Sequence, residues 1–113
     1  MHELSLMEEL LRIAEAEALA RGGRVETVVL EAGRLAGVEV EALRFAFEAL
    51  KAGTAAEGAA LEIEEPEGRG WCEACREVQP LETRFDPCPR CGAAPLALVG
   101  GRELRLKALD LVT

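Results

Sequence analysis

Four cysteines, spaced as two Cys-x-x-Cys pairs, constrain the fold of this chain more than any other feature. The pairs are Cys72 with Cys75 and Cys88 with Cys91, and they hold every cysteine in the 113 residues. A Cys-x-x-Cys turn brings both sulfurs to one side, so two such pairs can surround one ion tetrahedrally. The second pair is the better formed, because the following Gly92 permits the positive φ with which the chain leaves such a turn. The first pair lacks that glycine.

Structural zinc is the metal favoured for these four thiolate ligands. Four sulfur ligands leave no open coordination position, which argues against a catalytic zinc. The same set also suits iron, so rubredoxin-like electron transfer is an alternative, disfavoured by the missing glycine and the few aromatic residues. Disulfides would need an oxidising compartment. The start MHELSLMEELL lacks the basic region and apolar run of a secretory signal, so we expect a cytoplasmic protein.

Helical periodicity appears twice in the first half of the chain. The first segment runs from Leu4 to Ala20 and ends at Gly22-Gly23, and the second runs from Glu39 to Ala52 before Gly53. The apolar face predicted for the first helix comprises Leu4, Met7, Leu11, Ala14 and Ala18. The face predicted for the second comprises Leu43, Ala46, Phe47 and Leu50.

Three further segments are typical of strands. They span residues 25–32, 60–65 and 103–112, and the first is rich in β-branched residues. In the second, Leu61 and Ile63 are expected to point inward. In the third, the inward side chains are expected to be Leu104, Leu106 and Ala108. After Ala108 the parity of the inward positions changes from even to odd residue numbers, so that Leu109 and Leu111 are apolar. Such a change indicates a bulge or a strand that leaves its sheet.

Residues 68–98 differ from their flanks, because they contain all four cysteines and little apolar periodicity. We expect this stretch to build no hydrophobic core of its own and to depend on a metal for its structure. The predicted fold class is α+β, with two helices packed on a three-stranded sheet and an inserted four-cysteine zinc module. The predicted domains are residues 1–67 with 99–113, which form the α+β domain that carries the amino terminus, and the zinc-binding insert 68–98.

The net charge of −8 disfavours several classes of function. Nucleic-acid binders usually carry a basic surface, and docking on anionic lipid also needs cations. No segment is long and apolar enough to cross a bilayer. With one histidine, no nucleophile elbow and no phosphate loop, the sequence also gives no support for an enzyme.

The only histidine, His2, lies beside the amino terminus. One interpretation is an accidental surface histidine near a frayed chain end. The other is a chelate in which the Met1 amine, the His2 backbone nitrogen and the His2 imidazole bind one ion, with Glu3 supplying a fourth donor. Deprotonated backbone nitrogens favour square-planar Ni(II) or Cu(II). Because these groups must lose protons to bind, we expect weak binding in acid and firmer binding near neutrality.

Taken together, these motifs resemble the HypA/HybF family, the nickel metallochaperones of nickel–iron hydrogenase maturation. The resemblance runs in order along essentially the whole chain. It is carried by Met1-His2-Glu3-Leu4, Gly33-x-Leu35-x-Gly37-Val38, Phe45-x-Phe47, Gly53-Thr54, Glu57-Gly58-Ala59-x-Leu61-x-Ile63, the two cysteine pairs and Gly101-Arg102-Glu103-Leu104.

The resemblance implies transient Ni(II) cargo at the amino terminus, with His2 as the essential side-chain ligand, and structural Zn(II) on the four cysteines. It implies delivery with the nickel-handling GTPase HypB to the hydrogenase large-subunit precursor. Some relatives also serve urease, which adds urease accessory proteins to the expected partners. Glu39 matches a position where some relatives carry an acidic residue near the nickel end, although a solvated helix-cap charge also explains it. Both a monomer and a homodimer are compatible with the sequence.

Overall fold

The fold combines two helices with two small three-stranded sheets. A computed structural model describes residues 3–113. The elements are α1 (Glu3–Ala20), β1 (Arg24–Ala32), α2 (Val40–Leu50), β2 (Ala60–Glu64), β3 (Gly68–Cys72), β4 (Glu77–Leu81), β5 (Ala97–Gly100) and β6 (Leu104–Val112). One sheet has the strand order β2-β1-β6 and the other has β4-β3-β5. The predicted α+β class is confirmed, and the second sheet is an element that the sequence pattern did not predict.

Helix α1 buries one face and ends where its sequence indicates. The buried residues are Met7, Leu10, Leu11, Ala14 and Ala18. Gly22 has φ 67°, the Gly23 N–H donates to the Ala18 carbonyl at 2.9 Å, and the Gly22 N–H donates to Leu19 at 3.2 Å. This is the Schellman arrangement, in which a glycine takes the left-handed conformation and satisfies the last carbonyls.

The prediction that Leu4 belongs to the buried face of α1 is wrong. Leu4 is 53% exposed. It lies in the first turn of the helix and lines an open groove with Phe45 of α2 instead of entering the core.

Helix α2 packs against α1 and buries Leu43, Ala46 and Phe47. Leu50 is half-buried, and Gly53 follows with φ 77°. The prediction for this helix is therefore confirmed, although the helix begins one residue later and ends two residues earlier than expected.

The first sheet has its fully buried residues on the central strand. In β1, the side chains of Val25, Val28, Leu30 and Ala32 are buried. On the flanking strands, the inward-facing leucines and Ile63 are half-buried. The parity change predicted in β6 is visible as two successive exposed residues, Lys107 and Ala108. The expectation that Ala108 points inward is wrong, because the change occurs one residue earlier than the alternation suggests.

The described chain divides into two compact units. The first contains the described residues up to Leu30 together with Val38–Ile63 and Arg105–Thr113, and the second contains Glu31–Gly37 and Glu64–Leu104. The boundaries 68–98 stay a prediction. Among residues 3–113, no helix is long and apolar enough to cross a membrane.

The second unit is built on a hairpin of β3 and β4, with Gly68 opposite Leu81 and Cys72 opposite Glu77. Strand β5 pairs with the other edge of β3. The expectation of no hydrophobic core is corrected in one respect, because a small cluster forms from Cys72, Leu81, Cys88 and Leu96. Half of this cluster consists of cysteines, so the core and the candidate metal site are the same place.

The connection after β1 belongs to the second unit and contacts a later segment of the same unit through its backbone. The Gly33 N–H donates to the Glu103 carbonyl at 2.7 Å, and the Leu35 N–H donates to the Gly101 carbonyl at 2.7 Å. A Cβ atom at Gly33 would lie 2.1 Å from the Gly101 oxygen, closer than any side chain could tolerate. Glycine at this position therefore lets two chain segments meet.

Candidate metal centres

The first candidate centre lies at the start of α1. Met1 and His2, the predicted amine and imidazole ligands of nickel, lie outside the described residues. Glu3 begins the helix and is half-buried. Its Oε2 accepts a hydrogen bond of 2.9 Å from the backbone N–H of Glu39, the residue before α2. The structure thus brings two of the predicted site residues, Glu3 and Glu39, to one place.

The carboxylate of Glu39 is not used to cap its own helix. The residue has extended backbone, with φ −89° and ψ 110°, and its side chain makes no capping hydrogen bond. The acceptor at this helix start is the Glu3 carboxylate, which is favourably placed near the positive end of the α2 dipole. Sequence reasoning missed this contact because the two residues are 36 positions apart and no local pattern signals it.

A shallow apolar groove opens beside Glu3. It is lined by Glu3, Leu4, Ala42, Phe45 and Ala46, with a volume of about 480 Å³. Phe45 is 75% exposed, although it lies on the same helix as the fully buried Phe47. The candidate nickel end therefore borders an exposed apolar surface.

The second candidate centre brings the four predicted cysteine ligands together. One Sγ from each of Cys72, Cys75, Cys88 and Cys91 lies within 4.8 Å of all the others. The Sγ atoms of Cys72 and Cys91 are 3.6 Å apart. Zn–S bonds of about 2.3 Å place two sulfurs of a tetrahedron about 3.8 Å apart, so the donor set fits a tetrahedral ion. Within residues 3–113, this is the one group of three or more histidine, cysteine, aspartate or glutamate side chains that could hold a metal.

Each cysteine pair sits on a tight turn closed by backbone hydrogen bonds. In the first, the Arg76 N–H donates to the Cys72 carbonyl at 2.7 Å, and in the second the Gly92 N–H donates to Cys88 at 2.8 Å. Gly92 has φ 79° and Arg76 has φ 55°. Arg76 thus occupies the left-handed conformation that glycine supplies in the second turn. The absence of a glycine after Cys75 was the sequence signal for this strained position.

The surroundings of Cys88 and Cys75 shift the pKa values of these two thiols in opposite directions. Burial opposes ionisation of Cys88, but backbone N–H groups of Cys91 and Arg90 outweigh it and lower the pKa of Cys88 to about 7. Hydrogen bonding with Cys91, together with burial, raises the pKa of Cys75 to about 12. A thiol must lose its proton to ligate a metal, so filling this site must release protons.

Charged pairs outside the cluster connect the two turns to the hairpin. Arg90, between the second pair of cysteines, forms an ion pair with Glu77 of β4. The Trp71 Nε1–H donates to Glu73 at 2.7 Å, so the indole is fixed beside the first turn. These exposed pairs contribute little energy individually, but they orient the residues between the ligands.

Three comparisons place the chain among known proteins. The family model described as "Hydrogenase/urease nickel incorporation, metallochaperone, hypA" matches residues 1–111. The hydrogenase maturation factor HypA of Geobacter sulfurreducens is 50% identical over 111 residues, covering 98% of this chain and 99% of that protein. The HypA of Azotobacter chroococcum is 48% identical over 112 residues, with 98% and 99% coverage.

Two solved structures share the fold. The solution structure of the Ni metallochaperone HypA from Helicobacter pylori has a TM-score of 0.67 and 23% identity, and it covers 99% of this chain and 98% of that one. A second solution structure of a HypA protein has a TM-score of 0.72 and 24% identity, with 99% and 97% coverage. The match over residues 1–111 and the identity of about one half to curated relatives together show that the chain belongs to the HypA family of hydrogenase and urease nickel incorporation.

Proposed function

We propose that this protein is a metallochaperone that binds Ni(II) at its amino terminus and delivers it for maturation of nickel–iron hydrogenase. The observation that carries this proposal is the family match, which begins at residue 1 and therefore includes the Met1-His2-Glu3 motif. No catalytic residues are assigned, because the protein acts as a carrier rather than as an enzyme.

The nickel ligands are the Met1 amine, the His2 backbone nitrogen and the His2 imidazole, with Glu3 as the fourth donor. The Glu3 carboxylate already accepts the Glu39 N–H, which supports the Glu3 backbone amide as the donor to nickel and the carboxylate as the anchor to α2. Glu39 is the weaker candidate ligand. Its carboxylate belongs to an exposed residue and makes no capping hydrogen bond, so it is available to bind the metal.

The four cysteines hold structural Zn(II). The support for zinc is the spacing of the sulfurs and the supply of backbone N–H groups to Cys88, which stabilise a thiolate. When bound, zinc supplies the cross-link that a cluster of four small side chains lacks. Iron in the same site would make the purified protein red, whereas zinc leaves it colourless, so absorbance and elemental analysis separate these two metals.

The partners in delivery are the GTPase HypB, as the other nickel-handling protein, and the hydrogenase large-subunit precursor, as the acceptor. The description of the family as serving both hydrogenase and urease supports urease accessory proteins as further partners. Delivery of this kind takes place in the cytoplasm. A site with few ligands suits a carrier, because the cargo must be released to the acceptor.

Nickel titration of untagged, zinc-loaded protein tests the proposal. Calorimetry should give one tight site per chain in the native protein and its loss in His2→Ala, with zinc content unchanged. An uncleaved amino-terminal tag should abolish the same site, because it blocks the Met1 amine. The control is Glu8→Ala, an exposed charge on α1 that should leave nickel binding intact.

Two results would contradict the proposal. Equal nickel binding by native and His2→Ala protein would favour a zinc-ribbon interaction module without mobile metal. Equal binding by tagged and untagged protein would exclude the amine as a ligand. Glu39→Gln sharpens the ligand assignment, because an unchanged affinity would remove Glu39 from the site.

A further inference from the structure

The second unit carries a cavity that neither metal centre uses. Its volume is about 620 Å³, within the range of known ligand-binding clefts. The apolar part of its wall is formed by Pro80, Leu81, Pro87 and Pro89. Leu81 is buried and belongs to the cysteine cluster, whereas the three prolines are exposed. Because proline loses little conformational freedom on contact, this wall is suited to hold an apolar side chain.

The loop that forms one side of the cavity is fixed by a carboxylate. Asp86 Oδ2 accepts the backbone N–H groups of Glu82 at 2.9 Å and Thr83 at 3.0 Å, and Oδ1 accepts the Thr83 hydroxyl at 2.6 Å. The Phe85 N–H donates to Thr83 Oγ1 at 3.3 Å. Four hydrogen bonds thus order a turn of five residues.

This ordered turn presents Phe85 to solvent. The side chain is 83% exposed, more than any other large apolar side chain in the described chain. Burial of a phenylalanine is strongly favourable, so an exposed one on a fixed turn offers apolar area that a partner could bury. Ordering the turn in advance lowers the entropic cost of binding.

The charges of the cavity wall indicate what kind of partner it accepts. Glu67, Glu82 and Asp86 carry three negative charges, and Arg34 carries one positive charge. Asp86 is engaged within its turn, but the carboxylates of Glu67 and Glu82 have no ion pair or hydrogen bond within residues 3–113. Both are exposed. A cation on a partner would therefore complement them without breaking an existing pair.

We propose that this cavity, together with Phe85 on the turn whose residues Glu82 and Asp86 line it, is a docking site for an extended segment of a partner protein that carries an apolar side chain flanked by lysine or arginine. The apolar side chain lies between the prolines, and the flanking cations face Glu67 and Glu82. The site requires no bound nickel and goes beyond the proposed function. It gives the zinc-bearing unit a role in recognition in addition to any structural role.

NMR titration of ¹⁵N-labelled, zinc-loaded, nickel-free protein tests this inference. The probe is the capped peptide Ac-Gly-Lys-Leu-Lys-Gly-NH₂, with Ac-Gly-Glu-Leu-Glu-Gly-NH₂ and Ac-Gly-Lys-Ser-Lys-Gly-NH₂ as controls. We expect saturable shifts at Glu67 and at residues 82–86 for the first peptide alone, weakened by added salt. No saturable shifts, or equal shifts with the glutamate peptide, would overturn the proposal.

Matched variants locate the peptide. Glu67→Gln/Glu82→Gln should weaken binding by about fivefold, because two exposed charge pairs are lost, whereas Glu57→Gln/Glu62→Gln, equally exposed but in the first unit, should not. Phe85→Ala should weaken binding, and Phe45→Ala should not. None of these exposed side chains supports the core, so folding is preserved. Equal affinity in the Glu67/Glu82 variant and its control would refute the site, whatever the result of the nickel titration.

Discussion

Each of the two units of this molecule is stabilised internally by a different kind of interaction. In the first unit the largest fully buried side chains include Phe47, Met7, Leu30 and Leu43, which form a hydrophobic core contributed by two helices and a strand. In the second unit the buried cluster has four residues, and two of them are cysteines. Apolar burial stabilises roughly in proportion to the area removed from water. We therefore expect the first unit to fold on apolar contacts and the second to need a metal as part of its core.

This difference is consistent with the different roles proposed for the two candidate metal sites. A metal that completes a core must stay bound, because losing it unfolds the structure around it. A metal carried as cargo must leave, so it belongs on a unit whose stability does not depend on it. The candidate nickel end meets that requirement, because it lies at the start of α1 in the unit that has its own apolar core.

The largest effect that could break this comparison is expected from Cys88→Ser. Zinc should be lost, and residues from about 70 to 97 should become disordered, because the remaining core of the second unit is too small. The amide signals of the first unit should keep their native positions in a ¹H–¹⁵N spectrum. Ala74→Ser, which adds a hydroxyl in the first cysteine turn without removing a ligand, should retain zinc and the native spectrum. Unfolding of both units together would refute the independence of the first.

The converse substitution, Phe47→Ala, should affect the first unit. Removing a fully buried phenylalanine typically costs about 3–5 kcal/mol, so denaturant unfolding of the helices should shift strongly while zinc content stays at one per chain. Phe45→Ala, on the same helix but 75% exposed, should change the unfolding free energy by less than about 0.5 kcal/mol. Loss of zinc from the Phe47 variant under native conditions would show that the units depend on each other.

The same difference explains how much of the structure the sequence predicts. The helices and β1 bury wide apolar faces, so their periodicity appears directly in residues such as Met7, Leu43 and Phe47. The ligand spacing of the cysteines is also local, and it predicts the cluster. The second sheet was missed because β3 reads Gly-Arg-Gly-Trp-Cys, in which glycines replace the apolar side chains that make a strand recognisable.

Contacts between distant residues were the other information that the sequence did not provide. The hydrogen bond from Glu39 to Glu3 spans 36 positions, and the approach of Gly33 to Gly101 spans the segment that contains the four cysteines. Both depend on the folded arrangement of the chain. Glu39 itself is predicted from the family resemblance, whereas its backbone contact with Glu3 is visible only in the folded structure.

The two cysteine turns offer a finer comparison within the second unit. Gly92→Ala places a side chain at φ 79° with no atoms within 4 Å, so its cost of about 1–2 kcal/mol should be purely conformational. Arg76→Gly should have the opposite sign and a smaller size, because relief of φ 55° is offset by greater freedom of the unfolded chain. Chelator competition for zinc measures both. Equal weakening by the two variants would contradict the strain assigned to Arg76.

Within the first unit, Glu3→Ala should remove the side-chain acceptor at the start of α2. Loss of such a cap typically costs about 1 kcal/mol, so the unfolding free energy should fall by that amount. The Glu39 amide should exchange faster with solvent, whereas zinc content should be unchanged. Glu8→Ala, on the same helix but away from the cap, is the control. Unchanged exchange at Glu39 would mean that the contact is not maintained in solution.

The smallest effect is expected on the exposed face of α1, where Arg12 pairs with Glu9. Hydrogen bonding to Arg12 lowers the pKa of Glu9. A carboxyl whose folded pKa lies below its unfolded value contributes stability above the unfolded pKa, near 4.3, and loses it as the pH falls through the folded pKa. Carboxyl ¹³C titration should show the Glu9 pKa rising towards its ordinary value in Arg12→Gln. Because this pair lies in the unit with its own apolar core, the small change should be measurable even after acid has stripped zinc from the cysteines. A Glu9 pKa that returns to its ordinary value when zinc is removed would show that the first unit also needs the metal.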